Sequence, residues 1–114
     1  ALAPLERTAA PVERTYGAHT SRVEARDWSA TWSVDGVPLH TYSMQGLSDA
    51  GFTATELIGP TGVFTPGPAA VDFEGGPTVL PMTWRSSEGD HFDLAVLGET
   101  ARWVNVAYLY DCAF

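Results

Sequence analysis

Asp35-Gly36 lies between two runs in which apolar and polar residues alternate, and this constrains the fold more than any other feature of the chain. Asp-Gly in that setting favours a type I′ turn, because both central residues need positive φ. A two-residue turn pairs Val34 with Val37 and Trp32 with Leu39. One face of the predicted hairpin carries Trp28, Ala30, Trp32, Val34, Val37 and Leu39. The other carries Ser29, Thr31, Ser33, His40 and Tyr42. A period of two predicts antiparallel β structure with one buried face per sheet.

The rest of the chain reads the same way. Residues 1–13 are Ala- and Pro-rich and predict an N-terminal arm or linker, with a single β domain over 14–114. Residues 14–20 predict a short strand or loop, and 22–34 and 37–44 the hairpin. Extended pieces follow at 52–58, 63–64, 70–74, 78–85, 91–97 and 101–110, separated by Gly, Pro, Ser and Asp turn signals. Pro81 cannot donate to a ladder and predicts an edge strand or a bulge. The expectation is an all-β domain: an antiparallel β-barrel or twisted β-sandwich of about seven or eight strands with no substantial helix. Periodicity is compatible with both architectures.

Composition limits the function classes. The 114 residues suffice for one core rather than two. The net charge is −8 and all six basic residues are Arg. Such a surface lacks the basic patch that nucleic acid or anionic lipid requires, so neither is an expected partner. No run is long and apolar enough for membrane insertion as a helix. Cys112 is the single cysteine, so no internal disulfide or thiolate metal cage is expected. The chain reads as one domain of a larger protein or a mature fragment.

Catalytic signals are weak. His19, His40 and His91 show no ligand spacing. Glu88 and Asp90 sit in a predicted turn, with Asp93 just beyond, where solvated caps are the ordinary role of acids. Ser86-Ser87 lacks a nucleophile elbow. No cofactor-binding motif is present, and no cofactor or metal is expected. Trp28 and Trp32 are expected to share a core face. In 101–110, Val104, Val106, Tyr108 and Tyr110 alternate with Trp103, Asn105, Ala107 and Leu109, so both faces are apolar. Such a strand is either central or faces a partner chain.

Several landmarks, taken in order, resemble one family. They are Thr8-Ala9-Ala10, Thr15-Tyr16-Gly17 with Thr20, Asp27-Trp28-Ser29 and Asp35-Gly36-Val37-Pro38-Leu39, then 52–59, 76–84, 94–97 with Glu99-Thr100, and Cys112-Ala113-Phe114. The chain resembles the protruding (spike) domain of the hepatitis E virus capsid protein, in a divergent, avian-type form. The similarity spans most of the chain in short pieces, none of them a specific motif alone. It implies a non-catalytic module on the virion surface, mediating host-cell attachment and carrying neutralising epitopes. The implied partners are a cell-surface receptor, neutralising antibodies and a second copy of the chain. The stretches after Thr20 and after Arg85 are shorter than in mammalian members, where the second carries much of the dimer contact.

Loops on a rigid β scaffold are the expected contact points. The candidates are Tyr16, His19, Thr20 and Arg22 in one loop, Ser48 and Asp49 in a second, and Arg85, Ser86, Glu88, Asp90 and His91 in a third. Trp84, Val104, Val106, Tyr108 and Tyr110 are the candidates for self-association. Two other classes remain open. A small-ligand-binding β-barrel would line a cavity with Trp28, Trp32 and Phe52. A barrel enzyme would need a pocket with two convergent titratable residues.

Overall fold

The computed structural model describes residues 11–26, 29–43, 64–85 and 89–110; of Arg26 and Tyr110 only the backbone is described. These residues form nine strands in two antiparallel sheets and no helix. The first sheet is a meander of β1 (Val12–Tyr16), β2 (His19–Arg26), β3 (Ser29–Val34) and β4 (Val37–Ser43). The second has the order β5 (Phe64–Pro66), β7 (Thr78–Arg85), β8 (Gly89–Leu97), β9 (Ala101–Tyr110), with β6 (Val71–Asp72) also on β7. β1 lies near β5 and β4 near β9, but neither pair forms a ladder, so the fold is a sandwich and not a closed barrel.

The Asp-Gly turn forms as expected. Asp35 and Gly36 have φ of 52° and 81°, and Val34 faces Val37. Beyond that pair the register departs from expectation. Ser33 faces Pro38, but Trp32 faces His40 and not Leu39, because a bulge interrupts β4. One extra residue reverses the parity of a strand. His40 and Tyr42 therefore join Trp32 and Ala30 on the inner face, where Tyr42 is buried.

Three other boundaries differ. The predicted strand over 22–34 is two strands: β2 and β3 pair antiparallel, with Arg26 opposite Ser29. β1 begins at Val12 and pairs Glu13 with Arg22, inside the predicted arm. β7 is an interior strand despite Pro81. β5 covers Met82, Thr83 and Trp84, while β6 covers Thr78 and Val79, and Pro81 falls in the gap between them. There its carbonyl accepts from Gly67 N at 3.0 Å, so its missing donor points to the same interrupted side. The predicted strand at 52–58, Trp28 and Cys112 lie outside the described residues.

The interior lies between the sheets. Trp32, Val34 and Val23 from the first sheet meet Leu80, Met82 and Ala95 from the second. β3 alternates strictly, with Ala30, Trp32 and Val34 buried between half-exposed Ser and Thr. The indole of Trp32 donates to Ser21 Oγ at 2.8 Å, which explains how a buried serine and a buried Nε1 coexist there.

Candidate functional site

Four aromatic rings cross the second sheet from edge to edge. Phe64, Trp84, His91 and Tyr108 are consecutive cross-strand partners on β5, β7, β8 and β9. Their rings are nearly parallel: Phe64 to Trp84 at 5.9 Å, Trp84 to His91 at 4.4 Å, and His91 to Tyr108 at 4.3 Å between centroids. Directly opposed residues share a face, so register alone stacks them. A bulge in β9 between the Asp93–Asn105 and Phe92–Ala107 pairs brings Tyr108 onto this inner row.

A polar chain runs beside the ladder. Trp103 Nε1 donates to Tyr42 Oη at 3.1 Å, and Tyr42 Oη donates to Asp93 Oδ2 at 2.7 Å. Asn105 Nδ2 donates to Asp93 Oδ1 at 2.7 Å. Asp93 is 1% exposed, yet each of its oxygens has a donor. His40 lies flat on Trp103 at 3.7 Å. Together with Trp84 and His91 these side chains line a cleft of about 310 Å³.

The electrostatics follow from burial. Burial, and then the hydrogen bond to Asp93, push the Tyr42 phenol far above its usual range. Burial lowers the pKa of His40, with the Asp93 charge opposing, so its imidazole is neutral near pH 7. The cleft thus gathers four titratable side chains, the geometric condition for the enzyme reading. Of these, Asp93 is occupied at both oxygens and Tyr42 holds its proton. The arrangement stores a negative charge behind ring walls. Among the described residues no group of three or more His, Cys, Asp or Glu could hold a metal ion.

The candidate loop residues separate into two ends of the sandwich. At one end Tyr16 is buried and its hydroxyl donates to Gly67 O at 2.6 Å. His19 Nδ1 lies 2.7 Å from Asp35 Oδ2, and Thr20 N donates to Asp35 Oδ1 at 2.8 Å. These two contacts, His19 first, lower the Asp35 pKa. Arg22 is held between Glu13 and Glu24. A second cleft of about 490 Å³ opens here, lined by Arg14, Tyr16, His19 and Asp72 among others. Arg85, Asp90 and His91 lie at the other end, where Arg85 Nε is 3.0 Å from Asp90 Oδ1 and His91 belongs to the ladder. Thr78 and Trp84, six residues apart on β7, mark the two clefts, a span on the order of 20 Å. Ser48, Asp49, Ser86 and Glu88 lie outside the described residues.

The candidate self-association stripe is also divided. Val104 faces outward opposite Leu94, while Tyr108 faces inward opposite His91, because the bulge at Val106 lies between them. Trp84 faces inward and packs against the core. Tyr110 is opposite Gly89. The outward row left by this division is apolar at its centre, with Arg102 and Asp90 at its ends. Phe92 is exposed, Leu94 and Val96 are half-buried, and Val104, Val106 and Leu109 are exposed. Along 92–96 β8 is thus inverted: Asp93 and Ala95 are buried while Phe92, Leu94 and Val96 face out, and Leu97 at its end packs against the core.

Sequence reasoning did not single out His40, Tyr42, Asp93, Trp103 or Asn105 as site residues. Pro38 was the available signal, since proline within a strand marks an edge or a bulge, and the bulge is what turns His40 and Tyr42 inward. No family model, curated protein or solved structure matches the chain.

Proposed function

We propose that this domain is a non-catalytic protruding module on the surface of a non-enveloped capsid of the hepatitis E virus type, serving host-cell attachment and carrying the epitopes of neutralising antibodies. The observation that carries this reading is the inverted strand β8. A free-standing sandwich gains nothing by turning Phe92, Leu94 and Val96 outward beside Val104 and Val106. A contiguous apolar sheet face of this kind suits a module that docks on another protein surface, whether receptor or second copy. The two turn-bearing ends add polar loops on a rigid scaffold. The test is binding of the labelled domain, monomeric and multivalent, to avian and mammalian liver-derived cells in competition with virus particles. Saturable binding that blocks infection supports attachment; no binding in either form removes it.

A second reading is favoured by one feature, the ring-lined cleft around Tyr42 and Asp93. In that reading the domain binds a small ligand there, between the sheets at one end and not inside a closed barrel.

A further inference from the structure

The cleft between β4 and the inner face of β7–β9 has walls at steep angles to one another. Trp103 and His40 are parallel within 5°, and they stand at 83° and 79° to Tyr42. Trp84 is tilted 59° from Tyr42 on another side. These rings pack against one another at steep angles along one side of an open cleft; they do not form a flat platform.

Charge selects the sign of the ligand. Asp93 is the acid in the lining, no Arg contributes, and the whole chain carries −8. A buried carboxylate with low-dielectric walls creates a negative field in the space beside it. An anion is disfavoured on that ground.

Hydrogen bonding selects the ligand type. Tyr42 Oη, Trp103 Nε1, Asn105 Nδ2 and both oxygens of Asp93 are joined to one another. No buried side-chain nitrogen or oxygen among the described residues lacks a partner. A primary ammonium or a sugar hydroxyl would shed water here and find, beside groups already engaged with one another, only the imidazoles of His40 and His91. A methylated ammonium behaves differently: it donates no N–H, spreads its charge over CH groups and is attracted by aromatic rings.

We propose that this cleft binds a trimethylammonium head group, with Trp103 and Tyr42 as walls and Asp93 as the counter-charge. The inference rests on the small-ligand reading and names its ligand class. A cleft of about 310 Å³ is at the lower end of the range for small-molecule sites.

The probes are tetramethylammonium and choline, compared with 3,3-dimethylbutan-1-ol, the neutral isostere of choline, at matched ionic strength. The readouts are indole fluorescence and the ring-proton shifts of Trp84 and Trp103. Saturable shifts with both cations are expected, with binding of the neutral isostere weaker by roughly tenfold or more. Trp103→Leu is expected to abolish binding and Trp103→Phe to retain it. Equal binding of choline and its isostere overturns the cation assignment while leaving a small-ligand site. Absence of saturable shifts with every probe overturns the small-ligand reading as well. If Trp103→Leu does not fold, the isostere comparison in the unmodified domain decides.

Discussion

Gly67 lies so close to the ring of Pro81 that a Cβ at position 67 would run into Pro81 Cγ and come within 2.9 Å of Pro81 Cβ. Gly67 also donates to the Pro81 carbonyl and accepts from Tyr16 of the opposite sheet. The two residues therefore close the gap between β5 and β6 and tie β1 to it. Gly67→Ala should destabilise the domain by about 1–3 kcal/mol, as overpacking does. Urea midpoints measure this. The cost should shrink in a Pro81→Gly background, because the two positions share one contact.

Gly36 has open space around the position of a Cβ but a φ of +81°, so its requirement is conformational and not steric. Gly36→Val should cost about 1–3 kcal/mol by placing a β-branched residue in the left-handed region. Gly36→Asn should be tolerated far better, since Asn accepts positive φ. Equal denaturation midpoints for the two variants would contradict this account of the turn.

Tyr42→Phe removes the donor to Asp93 Oδ2 and the acceptor of Trp103 Nε1 while keeping the ring. The stranded carboxylate and indole should cost about 1–3 kcal/mol or more. The same residue predicts alkaline behaviour. Its phenol is raised above the ordinary value of 10.0. The associated stability is complete below that value and is lost as pH rises beyond it. At about pH 11 the folded domain should show phenolate absorbance from fewer than its four tyrosines, the last appearing with unfolding.

His40 gives the acidic counterpart. Its folded pKa lies below the ordinary 6.5, so the unfolded chain binds this proton first as pH falls. Stability is complete above 6.5 and declines below it. Thermal unfolding followed from neutral to mildly acidic pH should show that decline, and His40→Phe should flatten it. An unchanged slope in His40→Phe would assign the decline to another group.

The fold class was legible because β3 and the Asp35-Gly36 turn obey a period of two, and Gly, Pro, Ser and Asp punctuate the segments that form β7, β8 and β9. What was not legible follows from two single-residue bulges. Alternation carries parity only along an unbroken ladder, so the extra residue in β4 misplaced His40 and Tyr42, and the one in β9 misplaced Tyr108 relative to Val104. β8 was unreadable for another reason. Hydrophobicity assigns Phe92, Leu94 and Val96 to the interior, but Asp93 is buried because Tyr42 and Asn105, distant in sequence, supply its donors. No local pattern announces a partner fifty-one residues away.

The hydrogen-bonded chain from Trp103 through Tyr42 to Asp93 joins residues of both sheets, and this gives the sandwich a keyed alignment. Oily layers attract without preferring one lateral offset over another. A phenol that must meet one particular carboxylate has such a preference, because a shift by one residue would abandon a buried charge. Thinning the apolar interior should thus weaken this domain while leaving its layers aligned. Losing Tyr42 should let them drift into several loosely ordered alternatives, with broadened rather than merely displaced ring resonances.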